Sequence, residues 1–149
     1  MQFLFTAIAI FITPLAVAYA PTSALGGSPS ALSALQAKAE EAQPRDRCFI
    51  YAELVSQMTE VAGQQFNSGD LQQASMTLKL VQRYADKIST TVGDDTTKLK
   101  KAELLLQHTS FRLKDILSEA SYEDRQALEV TLKQLNEVQA QLMMQVFKK

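Results

Sequence analysis

The apolar residues of this chain recur at helical spacing. Leu71, Ala74, Leu78, Val81, Ala85, Ile88 and Val92 step by three and four residues, which keeps every member on one side of an α-helix. Leu99, Ala102, Leu106, Thr109, Leu113, Ile116 and Ala120 repeat the stepping. Only residues 92–95 separate the two runs, so the pattern predicts a hairpin of antiparallel, directly neighbouring helices. Upstream, Tyr51, Leu54, Val55, Met58, Val61, Ala62 and Phe66 form another apolar face. Asp46 is the expected N-cap of that helix, and Gly69 the left-handed residue that ends it. Asp70 then caps the next helix, with Gln73 completing a capping-box-like pair.

Phase decides whether the run that starts at Leu99 continues to the end. Continued, it would bury Glu123, Ala127, Gln134, Glu137 and Gln141, whereas the apolar residues stand at Leu128, Leu132, Leu135, Val138, Leu142 and Val146. The register breaks near Ser121, which makes a capping box with Asp124 and starts a further helix. Arg125, Glu129, Lys133 and Glu137 follow one another at i+4 steps and read as its solvated face. The expectation is an all-α fold: an up-down-up-down antiparallel four-helix bundle over residues 46–149, with helices at about 47–67, 71–91, 95–119 and 122–147. Its seams have coiled-coil-like spacing, which favours crossings of about 20°.

Gly69-Asp70 with Ala74 and Leu78 resembles the turn and second helix of a tetratricopeptide repeat. The likeness spans one hairpin, lacks the proline at its end and does not recur around Gly93. A C-capping glycine followed by an N-capping aspartate accounts for the same residues.

Residues 3–12 are apolar except for Thr6, Thr13-Pro14 interrupts them, and small residues follow to Ala20. That order reads as a cleaved secretory signal peptide over residues 1–18. The cut is expected after Ala18, with Ala20 as the alternative, because cutting after Ala20 would put Pro21 directly behind the scissile bond. No charged residue precedes Lys38, so an uncleaved membrane anchor is the rival reading. Residues 19–45 are a linker rich in Pro, Gly and Ser, with a short helix expected at 31–43, begun by Ser30 and stopped before Pro44.

Charge and chemistry narrow the function without naming it. Fifteen basic residues against 16 acidic ones give a net charge of −1, unlike a chain built to coat nucleic acid, and no nucleic-acid partner is expected. With one cysteine and one histidine, no intrachain disulfide, covalent haem or multi-cysteine metal site is available, and no metal or cofactor is expected. His108 falls outside the apolar seam, so it does not suit a core haem site with Met58 or Met143. Met143 and Met144 are adjacent and point to different sides of a helix, which argues for packing rather than copper binding. A helical chorismate-mutase-like enzyme would need basic residues inside the bundle, and residues 49–67 contain none. No catalytic residues are assigned, and an enzyme is not expected.

Two features are left over. Cys48 lies near a helix start, close to Arg45 and Arg47, which would lower its pKa, though Asp46 opposes them; it is a candidate reactive thiol or interchain disulfide, weighed against a small packed side chain. Met76, Leu80 and Tyr84 form an apolar flank off the seam, and Leu104 and Phe111 lie off the seam of what is expected to be the neighbouring helix. The N-terminal helix, the other bundle helices or a second chain could cover them; as a partner surface these five are the candidates, with Lys79, Arg83 and Lys87 as a solvated basic stripe beside them. The expected function is an exported, non-enzymatic helical module, periplasmic or extracellular, acting through an unknown protein partner or as a homo-oligomer. The alternatives are a ligand- or cofactor-carrying periplasmic bundle and a membrane-anchored helical domain.

Overall fold

The computed structural model describes residues 29–148. The expected signal peptide, residues 1–18, and residues 19–28 of the expected linker lie outside them. The described chain is all-helical: α1 (Pro29–Glu41), α2 (Pro44–Asn67), α3 (Leu71–Thr90), α4 (Thr96–Glu119) and α5 (Tyr122–Phe147).

The helix ends follow local chemistry. Gly69 adopts φ +78°, and the N–H groups of Gly69 and Asp70 donate back to the carbonyls of Phe66 and Gln65, closing α2 with a Schellman motif. Asp70 accepts from the Gln73 N–H, Asp95 from those of Thr97 and Lys98, and Ser121 from that of Asp124. Asp46 does not cap α2 as expected. The helix starts earlier, at Pro44, with Gln43 as an N-cap that makes no side-chain cap bond. Proline suits that position because its φ is already helical and its missing N–H would have been unpaired. This leaves the Asp46 carboxylate in the first turn, where it accepts a hydrogen bond from Lys98 on α4.

The largest correction concerns which helices touch. α2 packs on α3, α4 and α1, while α5 packs on α3 and α4; α3 and α4, the expected hairpin, do not pack on each other among the described residues. They stand across a diagonal. The five connecting residues 91–95 can reach about 17 Å, more than the roughly 11–14 Å diagonal of helices spaced 8–10 Å apart. A short connection therefore forces antiparallel order here but not adjacency. The loop crosses the start of α2, where a Cβ at Gly93 would sit 3.3 Å from the Arg45 Cα.

Polar bonds give the helix directions. Lys98–Asp46 and Arg112–Glu60 each join residues 52 apart, so α2 and α4 run parallel at one register. Gln82–Thr131 and Gln134–Asp86, at separations of 49 and 48, show the same for α3 and α5. Thr77–Gln65 and the Tyr51–Tyr84 ring pair make α2 and α3 antiparallel.

Leu54, Leu78, Ile88, Leu106, Leu113, Leu128, Leu135 and Leu142 form the centre of the core. Each fully buried leucine or isoleucine contributes about 1.5–3 kcal/mol. Having three neighbours, α2 buries more than its expected face, adding Cys48, Ile50, Ala52 and Thr59. The buried Thr59, Thr109 and Thr131 donate to the carbonyls of Val55, Leu105 and Ala127, so their hydroxyls enter the core already bonded. α1 starts two residues before the expected 31–43 helix. It is held against α2 by the fully buried Ala39 and by Arg47, whose Nε donates to the Ala42 carbonyl at 2.9 Å.

Candidate functional site

The candidate partner surface divides into parts that face different ways. On α3, Leu80 and Tyr84 are partly buried and packed against the core. The Tyr84 ring lies 5.8 Å from that of Tyr51, and Lys87 Nζ stands 5.1 Å from the Tyr84 ring centre and 5.4 Å from that of Tyr51. A cation over two aromatic faces is an internal contact, so Lys87 is not simply a member of a solvated stripe. Of the α3 flank, Met76 remains 54% exposed.

On α4, Leu104 is 51% and Phe111 56% exposed, with Lys114 Nζ 5.2 Å from the Phe111 ring centre. Because α3 and α4 lie across a diagonal, these two residues do not join the α3 flank in one surface. Leu104 belongs to a different feature, which depends on α4 packing next to α2.

That feature is a groove of about 390 Å³ between α2 and α4. Phe49 of α2 and Leu104 and Leu105 of α4 supply its apolar lining, and Glu53, Lys101 and His108 add polar groups. Parallel packing at a fixed register produces it, since residues on α2 meet residues about 52 positions later on α4. Glu53 Oε2 is buried without a hydrogen-bond partner, an unfavourable state for a carboxylate oxygen. The groove is open to solvent at His108, as the histidine's place off the seam implies.

Phe49, Glu53 and Leu105 are not among the candidate residues the sequence pointed to. The signal was partial: Phe49 and Leu105 are large apolar residues outside the assigned seams. Pairing them required knowing that α2 lies beside α4.

Cys48 is enclosed in the core. It is 1% exposed, and burial pushes its thiol up to about 11, opposite to the lowering expected from Arg45, Arg47 and the helix start. Such enclosure disfavours the thiolate while α2 stays packed. Asp46 moves the other way: the hydrogen bond from Lys98 holds its carboxyl below the usual range, against a smaller effect of desolvation. No cluster of three or more His, Cys, Asp or Glu able to hold a metal occurs among the described residues. Compared with protein-family models, curated proteins and solved structures, the chain matches none of them.

Proposed function

We propose that this chain is an exported, non-enzymatic helical module that works by protein–protein contact or self-association in the periplasm or outside the cell. In this reading residues 1–18 are removed as a signal peptide, residues 19–45 are a linker, and residues 46–149 form an up-down-up-down four-helix bundle. The alternation of antiparallel α2/α3 with parallel α2/α4 and α3/α5 supports that topology.

One observation carries the contact reading. Leu104 and Phe111 are seven residues apart on α4, hence on one side of it; both are more than half exposed, and Leu104 lines the α2/α4 groove. An exposed apolar stripe next to a concave apolar surface is the pattern of a helix-binding or subunit contact. Native mass spectrometry of the purified protein with and without reductant tests self-association, and the reductant arm tests Cys48. Self-association is expected, and it should persist under reductant because Cys48 is enclosed.

The groove favours a second reading, a bundle that carries a small molecule, because its apolar lining at Phe49, Leu104 and Leu105 is joined by a few polar groups at Glu53, Lys101 and His108. Colour, metal content and co-purifying mass separate the two. A stoichiometric bound cofactor would overturn the contact reading. The membrane-anchored alternative rests on residues outside the described ones; among those described, no helix is long and apolar enough to cross a membrane.

A further inference from the structure

Among the described residues two surfaces have no partner, and their chemistry matches. One is the α2/α4 groove, with apolar walls at Phe49, Leu104 and Leu105 and the unpaired, buried Glu53 Oε2 between them. It suits an occupant that brings apolar side chains and a cation. Lys101 lines the groove but makes no hydrogen bond to that oxygen.

The other is the end of α5. The Gln134–Asp86 bond sets Thr90, the last residue of α3, level with about residue 138, so α5 runs on past α3 for roughly nine residues, over two turns. On those turns Met144 is 62% and Phe147 75% exposed, and Lys148 follows directly. The result is a helix end with large apolar side chains and a basic one beside them. Apolar groups in such a position gain from any surface that removes them from water.

We propose that the occupant of the groove is the α5 end of a second copy of this chain, with Met144 and Phe147 against Phe49, Leu104 and Leu105, and the Lys148 ammonium at Glu53 Oε2. The inference rests on the contact reading above and makes it specific. Apolar and charge complementarity act together: the groove supplies an unpaired acid and the helix end a base. A helix lying in a groove uses side chains at i and i+3 or i+4, and Met144 and Phe147 have that spacing. The contact is directional, with a different surface used on each copy.

That direction gives the test. Two variants are made: Met144→Asp with Phe147→Asp, which spoils the helix end and keeps the groove, and Leu104→Asp with Glu53→Lys, which spoils the groove and keeps the helix end. All four positions are at least partly exposed, and circular dichroism melting verifies that both variants fold. By sedimentation and native mass spectrometry the wild-type chain should associate, and each variant alone should do so about tenfold or more weakly. The two variants mixed should recover a 1:1 heterodimer, because one intact groove then meets one intact helix end. Lys148→Glu should weaken wild-type association, and pairing it with a Glu53→Lys chain should restore it.

A wild-type chain that stays monomeric up to its solubility limit would overturn the proposal, as would a mixture of variants that does not pair. Association unchanged in both variants would also overturn it, while leaving the contact reading intact on another face.

Discussion

Gly63 of α2 lies so close to Ile116 of α4 that a Cβ built on the glycine would stand 3.0 Å from Ile116 Cδ1 and 3.4 Å from its Cγ1. The glycine allows the two parallel helices to approach at the end away from the Asp46–Lys98 pair. Gly63→Ala therefore combines two opposing terms. Alanine gains about 1 kcal/mol in helix propensity, while crowding a packed position costs about 1–3 kcal/mol. The expected result in urea is a net loss of about 1 kcal/mol. In an Ile116→Val background, which removes Cδ1, the same change should instead stabilise. Additive effects in that double-mutant cycle would mean the close approach has no energetic weight.

A second prediction concerns the α3/α5 interface. Gln82 Nε2 donates to Thr131 Oγ1 at 2.7 Å, and that hydroxyl donates in turn to the Ala127 carbonyl at 2.8 Å. Thr131 is fully buried. Thr131→Val keeps the shape but strands the Gln82 amide, which is only partly buried, so the cost should be about 1 kcal/mol. Replacing both residues with apolar ones of similar shape should recover most of it. If the single variant is as stable as the parent by chemical denaturation, this bond does not set the α3/α5 register.

These interfaces separate what was legible in the sequence from what was not. The limits of α5 could be read because Ser121 and Asp124 cap it and the apolar phase slips at that point. The buried faces of α3 and α4 could be read because Ala74, Leu78, Val81, Ala85 and Ile88, and Leu99, Leu106 and Leu113, recur at helical spacing. Periodicity reports that a face is covered, not by which helix. The diagonal placement of α3 and α4 therefore had no signature in either seam, and the α2/α4 groove, which exists only because of it, was invisible. The start of α2 was misread for a related reason. Asp46 is a good N-cap residue, but Lys98, 52 residues later, determines what its carboxylate does.

Cys48 supplies a prediction in the alkaline range. Its folded pKa is raised to about 11, so the stability it contributes as a neutral thiol is full below the unfolded value of about 8.5 and is lost as pH rises toward 11. Between about pH 8.5 and 11 the wild-type chain should lose stability more steeply than Cys48→Ala, although the alanine variant is less stable at neutral pH because it leaves a cavity. In native protein the thiol should react with a thiol-specific chromogen far more slowly than in denaturant. Rapid, stoichiometric labelling of the folded chain would contradict the enclosed position.

Asp46 gives the opposite sign. The hydrogen bond and charge of Lys98 lower its folded pKa below the ordinary value near 4, so its contribution is present above the unfolded pKa and disappears as pH falls through the folded one. Asp46→Asn removes that titration. The variant should be less stable than the parent at neutral pH, and the gap should close in acid as the parent's own carboxyl takes up a proton. Lys98→Met should produce the same closing gap, because the effect belongs to the pair rather than to either residue. Both carry partly exposed side chains, so raising the salt concentration should shrink the neutral-pH difference without abolishing the hydrogen-bonded part. Thermal melts from pH 2.5 to 7 at two ionic strengths measure all three expectations. A pH-independent gap between Asp46→Asn and the parent would show that the Asp46–Lys98 pair does not join the starts of α2 and α4 in solution.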